Sequence, residues 1–143
     1  MTNVSRTFTV TASPSDVIDY LKDFSHAEQW DPGTERCERL DDGEVRVGSR
    51  WHNESKIAGI STELVYELTE LTDDTIQFVG KNETATSTDT LTVRPSGSGT
   101  ELTYEAEIEM KGAAKLGEPV VKLIFEKVGN DTEDDLTKVL NGL

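Results

Sequence analysis

The sequence has a single cysteine, Cys37, only four prolines and no long uninterrupted run of apolar residues. One cysteine excludes an intramolecular disulfide and is typical of proteins from a reducing compartment. A transmembrane helix needs about 20 consecutive apolar residues, and residues 1–10 lack the basic and apolar segments of a secretion signal. We therefore expect a cytoplasmic protein with no stable insertion into a membrane.

Basic residues are also scarce. The chain has 14 lysines and arginines against 28 aspartates and glutamates, which gives a formal net charge of -14 and a pI of about 4.4. A surface with this charge repels nucleic-acid phosphates and anionic lipid headgroups. We expect no nucleic-acid partner.

Residues that bind metals or phosphate are few. The two histidines, His26 and His52, fall in different predicted elements, and there is no second cysteine. No pair of side chains has the spacing of a metal site. The glycine-rich stretch 97–99 joins two predicted strands, whereas a phosphate loop opens a helix. The sequence predicts neither a metal ion nor a cofactor.

Apolar and polar residues alternate over most of the chain with the period of two that is typical of β-strands. A helix start signal at Ser13 and Pro14 predicts two short helices after the first strand. Charge on both faces makes the second strand an edge strand. With 143 residues, the chain has the length of one domain, residues 1–143. The predicted strands are residues 4–11, 34–40, 45–57, 62–71, 75–80, 85–93 and 100–110.

A long helix is predicted at residues 112–143, because its apolar residues recur at helical spacing and form one stripe. Residues 129–131 are poor helix formers and residues 132–135 resemble a capping box, so the helix is expected to bend or restart there. The natural partner of the stripe is the sheet, with a space left between them. The stripe consists of Leu116, Val120, Leu123, Ile124, Val128, Leu136 and Leu140.

Four short motifs occur in a characteristic order. They are Val10-x-Ala12-Ser13-Pro14-x-x-Val17-x-x-Tyr20-Leu21-x-Asp23-Phe24, Trp30-Asp31-Pro32-Gly33, Val47-Gly48-x-x-Trp51 and Gly99-Thr100-x-Leu102-Thr103. Together they resemble the polyketide cyclase/dehydrase and lipid-transport branch of the START-like (Bet v 1-like, SRPBCC) superfamily, over essentially the whole chain.

The resemblance implies an α+β helix-grip fold, in which a curved antiparallel sheet of about seven strands wraps around a long C-terminal helix in the order β-α-α-β6-α. It also implies a hydrophobic cavity between sheet and helix, which members use for lipids, sterols, polyketides or other apolar molecules. It implies no single chemistry, because catalytic residues differ between branches of the superfamily.

The inward faces of the predicted elements would line this cavity and suit an apolar ligand with a few polar anchors. Most of these residues would belong to the core whatever the function. Trp30 and Pro32, near the expected mouth, either gate ligand entry or plug the end of the sheet. The predicted lining residues are Trp51, Leu64, Tyr66, Leu68, Ile76, Phe78, Ser87, Leu91, Tyr104, Ala106 and Ile108 on the sheet, with Val120, Ile124 and Val128 on the helix.

Asp89 is the candidate catalytic residue, because a carboxyl on an inward strand face would have a raised pKa. It would act as a general base, or, when protonated, donate a hydrogen bond to a carbonyl. Tyr66 or Tyr104 would orient the same group, and we name Tyr104 as the second catalytic candidate. Alternatively, Asp89 pairs with Arg50, Arg94 or a neighbouring serine or tyrosine, or the strand register differs.

Three functions follow as hypotheses. The first is a carrier or sensor that binds a small hydrophobic molecule, such as a lipid or polyketide, without transforming it. The second is a polyketide cyclase/dehydratase-type enzyme that uses Asp89 and a cavity tyrosine. The third is a protein-interaction module. The first is preferred, because the sequence shows no convincing set of acid and base residues.

Overall fold

The computed structural model describes residues 2–57 and 59–143. Seven strands form one antiparallel sheet, and a long C-terminal helix packs against it, so the expected α+β helix-grip fold is confirmed. The strands are β1 (Thr2–Val10), β2 (Thr34–Arg39), β3 (Arg50–Ile57), β4 (Ile60–Leu71), β5 (Thr75–Lys81), β6 (Ala85–Ser96) and β7 (Gly99–Met110). The α-helices are α1 (Pro14–Leu21), α2 (Ala27–Trp30) and α3 (Glu118–Asn141), and short 3-10 helices at Phe24–His26 and Gly112–Gly117 precede the last two.

The strand order across the sheet is β1-β7-β6-β5-β4-β3-β2. Strand β2 therefore lies at an edge, as its charged faces predict. Strand β3 begins at Arg50, later than the predicted residue 45. The reason is a turn before it, in which Gly48 has a φ of 100° and donates its N–H to the carbonyl of Leu68.

Alternation along the strands separates a buried inner face from an outer face, as expected. On β6 the inner side chains Ser87, Asp89 and Leu91 are buried, while the threonines between them are partly exposed. The register pairs Asp89 with Phe78 on β5 and with Ala106 on β7. Asp89 therefore faces the interior from the middle of the sheet.

Helix α1 begins at the predicted start signal. Ser13 is its N-cap, with a hydroxyl that accepts a hydrogen bond from the Asp16 N–H at 3.3 Å, and Pro14 occupies the first turn. Val17 and Leu21 lie one turn apart on the buried side of the helix and are fully buried. This packing positions the segment that follows, from Phe24 to Trp30, over the inner face of the sheet.

Helix α3 is continuous from Glu118 to Asn141, so the expected restart near residue 129 does not occur. Gly129 is buried against β1, where a Cβ atom would lie 2.6 Å from Cγ2 of Val4. The glycine thus allows close approach of helix and strand, and it does not end the helix. In the next turn the Thr132 hydroxyl donates to the carbonyl of Val128 at 2.8 Å.

The two halves of α3 differ in burial. Leu136 and Leu140 are fully buried, whereas Leu123 is 75% exposed and Val120 is 59% exposed; Leu116, in the preceding 3-10 helix, is 88% exposed. The prediction that all seven stripe residues are covered by the sheet is therefore wrong for its N-terminal members. Within the residues that the structure describes, no helix is long and apolar enough to cross a membrane.

Candidate ligand-binding site

Asp89 is the central polar group of the interior. Its side chain is 5% exposed, and within residues 2–57 and 59–143 no group donates a hydrogen bond to it or forms an ion pair with it. The alternative in which Asp89 pairs with Arg50 or Arg94 is not what the structure shows. Burial, with a further contribution from the charge of Asp31, raises the pKa of Asp89 to about 8. At neutral pH the carboxyl is mostly protonated and is a hydrogen-bond donor.

Tyr66 reaches towards Asp89 from β4 because the intervening strand carries a glycine. A Cβ atom at Gly80 on β5 would lie 2.6 Å from Cε1 and Cζ of the Tyr66 ring, so the ring occupies the space above Gly80. Gly80 is paired with Ser87 on β6. Burial and the charge of Asp89 raise the pKa of Tyr66 well above its ordinary value, and the Ser87 hydroxyl opposes this rise.

Tyr104 approaches the same region from β7. It is paired with Leu91, two residues beyond Asp89 on β6, and it is 7% exposed. Burial first, and then the charges of Asp89 and Asp31, raise the pKa of Tyr104 well above its ordinary value. The structure therefore brings Asp89 together with both predicted tyrosines, and all three are protonated at neutral pH.

Trp30 adds a donor that the sequence did not identify. Its indole is 1% exposed, and its Nε1–H has no hydrogen-bond partner in the described part of the chain. The ring packs edge to face against the ring of Tyr104, with centroids 6.2 Å apart. The other indole, that of Trp51, donates to Oδ1 of Asp23 at 3.1 Å. Because buried polar groups are nearly always paired, the free indole N–H of Trp30 indicates an acceptor site.

Asp31 connects the interior to the outer edge of the site. Its carboxylate accepts hydrogen bonds from the Thr34 hydroxyl at 2.8 Å and from the Gly33 N–H at 3.1 Å. Thr34 in turn accepts from Asn53 Nδ2 at 3.0 Å. Burial, and to a lesser extent the charge of Asp135 on α3, raise the pKa of Asp31. The charge of Asp31 thus raises the pKa values of Asp89 and Tyr104 in the interior, while the charge of Asp135 on α3 raises the pKa of Asp31 itself.

A groove of about 510 Å³ opens beside these hydrogen-bonded residues. It lies between α3, the end of β3 and the residues just before β2. Gly33 forms part of its wall, and a Cβ atom there would lie 2.6 Å from Cγ1 of Ile57. Only Ile124 and Val128 belong both to this wall and to the residues predicted from the sequence. The groove is lined by Pro32, Gly33, Lys56, Ile57, Leu123, Ile124, Lys127, Val128 and Asp131.

The remaining predicted lining residues divide into three groups. Ile108 is partly buried. Val120 is 59% exposed and lines neither the interior nor the groove, so its expected inward placement is wrong: the N-terminal half of α3 turns this residue to solvent. The following predicted residues lie in the buried interior with Asp89: Trp51, Leu64, Tyr66, Leu68, Ile76, Phe78, Ser87, Leu91, Tyr104 and Ala106.

The histidines and the cysteine lie apart from this site. His26 stacks on Tyr20 with ring centroids 4.2 Å apart, and His52 Nε2 lies 3.8 Å from a carboxylate oxygen of Glu63. Burial raises the pKa of the Cys37 thiol to about 12, so it is not a nucleophile at neutral pH. No cluster of potential metal ligands occurs in residues 2–57 and 59–143.

The sequence matches the family described as "Polyketide cyclase / dehydrase and lipid transport" over residues 1–141, and the chain belongs to this family. No curated protein is significantly similar in sequence.

Solved structures of low sequence identity share the fold. A START superfamily protein from Mycobacterium smegmatis is 22% identical with a TM-score of 0.73, covering 98% of this chain and 94% of its own. The protein TTHA0849 from Thermus thermophilus is 16% identical with a TM-score of 0.81, covering 98% and 97%. The Zhui aromatase/cyclase from Streptomyces sp. R1128 is 16% identical with a TM-score of 0.75, covering 98% and 91%.

Proposed function

We propose that this protein is a carrier or sensor that binds a small hydrophobic molecule, such as a lipid or polyketide, between the sheet and α3. The observation that carries this proposal is the unpartnered, buried carboxyl of Asp89. A buried polar group without a partner costs free energy, on the order of 1–3 kcal/mol. An oxygen atom of a ligand would recover this free energy by accepting the Asp89 proton in a hydrogen bond.

The arrangement around Asp89 favours a ligand with an acceptor oxygen on an apolar body. Asp89, Tyr104 and the free Nε1–H of Trp30 all have a hydrogen to donate at neutral pH. Aromatic and aliphatic side chains surround them. A carbonyl or hydroxyl would satisfy these donors, whereas a pure hydrocarbon would leave them unpaired.

The groove supports the proposal as the route of entry. Its volume of about 510 Å³ falls within the roughly 300–1,000 Å³ that is typical of small-molecule sites. Pro32, Gly33 and residues of the N-terminal half of α3 form part of its wall. On that half Leu123 is largely exposed, whereas Phe125 packs against the core. The family description, with its lipid transport, supports the same class of ligand.

Probe binding to variants of α3 tests this function. The fluorescence of N-phenyl-1-naphthylamine, a neutral apolar probe, increases on binding to an apolar site, and we expect saturable binding by the wild-type protein. Ile124→Trp places bulk in the groove and should abolish binding. Val120→Trp, on the exposed face one turn away, is the matched control and should retain it. Absence of binding by the wild type, or equal binding by both variants, would contradict the proposal.

A second candidate function is a polyketide cyclase/dehydratase-type enzyme. The specific observation in its favour is that the pKa of Asp89, about 8, is close to neutral pH, where general acid–base groups work best. For a β-hydroxy ketone, the ionised form of the carboxyl would take the proton from the carbon next to the ketone, leaving an enolate. The carboxyl would then give this proton to the departing hydroxyl, which the enolate expels as water, giving the enone and restoring the carboxylate. Tyr104 would hold the ketone oxygen.

Asp89→Asn separates the two functions. Asparagine keeps the size and the hydrogen-bonding capacity of the side chain but does not transfer a proton. An enzyme should lose turnover of a β-hydroxy ketone substrate while its affinity for the apolar probe changes little. Unchanged turnover in this variant would exclude the catalytic role of Asp89. Dehydration undetectable in the wild-type protein would leave the carrier or sensor function.

A further inference from the structure

The N-terminal part of the last helical segment carries an exposed apolar stripe. Leu116, Val120 and Leu123 follow at helical spacing and are 88%, 59% and 75% exposed. Single exposed apolar residues are common on proteins, but several in a row on one stripe indicate an interaction surface. Leu116 and Val120 do not line the groove, so the binding proposed above does not account for them.

Charge is distributed unevenly around this stripe. Residues 111–127 contain two glutamates and four lysines, Lys111, Lys115, Lys122 and Lys127, which gives this segment a net charge of +2. The other 126 residues have a net charge of -16, so the whole chain has -14. A segment that combines an apolar stripe with lysines is typical of helices that lie on the surface of an anionic bilayer. The expected repulsion of anionic headgroups, argued from the total charge, thus does not apply to this segment.

The hairpin between β3 and β4 presents the same combination on the opposite side of the groove. Ile60 is 64% exposed at its tip and pairs with Ile57, which lines the groove. Lys56, next to Ile57, also lines the groove and is exposed. We call the six residues Lys56, Ile60, Leu116, Val120, Leu123 and Lys127 the docking rim.

We propose that the docking rim binds reversibly to the surface of an anionic lipid bilayer, with the mouth of the groove facing the lipid. The acidic outer face of the sheet fixes this orientation. Glu35, Glu54 and Glu63 lie together around a separate depression on that face, and their charge keeps it away from the headgroups. Charges in solution are screened beyond about 8 Å at physiological ionic strength, so Lys56 acts locally despite the acidic remainder of the chain. Lys127 forms an ion pair with Asp131 at 3.0 Å and contributes less.

Flotation with lipid vesicles tests this inference independently of ligand binding. The wild-type protein should bind vesicles of phosphatidylcholine mixed with phosphatidylglycerol, bind those of phosphatidylcholine alone much more weakly, and be released from the mixed vesicles by salt. Leu116→Ser should weaken binding by about tenfold, because burying one leucine side chain contributes a factor of this size. Lys56→Glu should reduce binding to the mixed vesicles only.

The matched control is Val47→Ser, because Val47 is 55% exposed outside the docking rim, and it should bind like the wild type. No binding of the wild type to mixed vesicles would overturn the inference, as would equal losses in Leu116→Ser and Val47→Ser. A dimer that is seen by sedimentation and dissociates on Leu116→Ser would also overturn it, by assigning the stripe to self-association. Probe binding in the groove should be unchanged in Leu116→Ser, so failure here is distinguishable from failure of the proposed function.

Discussion

Replacing Asp89 by asparagine should stabilise the protein at neutral pH and flatten the pH dependence of its stability. The pKa of Asp89 is about 8 in the folded protein against an ordinary value of 3.8. Between these two values the folded state binds one proton more than the unfolded state. The free energy of unfolding therefore decreases by about 1.4 kcal/mol for each pH unit as the pH rises through this window.

The size of the effect follows from the same difference. At pH 7 the wild-type protein has lost about 4 kcal/mol relative to its stability below the unfolded-state pKa. Asparagine has a similar shape, does not ionise and does not incur this loss. Against a total stability of about 5–15 kcal/mol for a typical domain, the gain is large. It corresponds to a rise in melting temperature of about 10 °C for a chain of this size.

Denaturant unfolding at a series of pH values from about 5 to about 8 measures the effect. The control is Asp74→Asn, because hydrogen bonds from Thr75 and Thr72 lower the pKa of that exposed carboxyl. The ionised Asp74 carboxylate stabilises the folded state above its unfolded-state pKa, and this stabilisation is lost only as the pH falls. Asp74→Asn should therefore be slightly less stable than the wild type at neutral pH. If Asp89→Asn and the wild type lose stability in parallel as the pH rises, Asp89 is ionised in the folded protein and our account of the interior is wrong.

Three further variants test the packing around the site. Gly129→Ala should lower the free energy of unfolding by about 1–3 kcal/mol, because the new methyl overlaps Val4. This loss should exceed the gain from the better helix propensity of alanine. Calorimetry checks it, and a double variant with Val4→Ala should recover part of the loss. Gly80→Ala should displace the ring of Tyr66, which near-ultraviolet circular dichroism would detect, and should weaken binding of the apolar probe. Trp30→Phe removes an unpaired N–H and should leave thermal stability nearly unchanged. It should lower the affinity for a ketone ligand by about fivefold or more, and titration with the ketone and with its hydrocarbon analogue measures this difference.

Much of the sheet was predictable from the sequence, because a period of two sets the inner face of each strand independently of its neighbours. Asp89 was placed correctly by this means. The position of Tyr66 over Gly80 was not predictable, because it depends on which strand lies beside β4 and on the missing side chain there. The free N–H of Trp30 is likewise a property of its surroundings, and the sequence gives no signal for it.

The last helix shows where periodicity stops being informative. The stripe of residues 112–143 is denser in the N-terminal half, yet the fully buried members, Leu136 and Leu140, lie in the C-terminal half. Spacing identifies a face that can be buried, while coverage depends on how far the sheet extends beneath the helix. Intrinsic propensity predicts a bend or restart at residues 129–131, whereas in the structure Gly129 lies inside a continuous helix and packs closely on Val4.

Native mass spectrometry of the protein purified from its own host tests the central claim most directly. We predict an additional mass that is removed by organic extraction and belongs to an apolar molecule with at least one carbonyl or hydroxyl oxygen. The same preparation of Ile124→Trp should lack it. A mass equal to that of the bare chain, together with no binding of N-phenyl-1-naphthylamine by the wild-type protein, would contradict the claim that the space between sheet and helix holds a hydrophobic ligand.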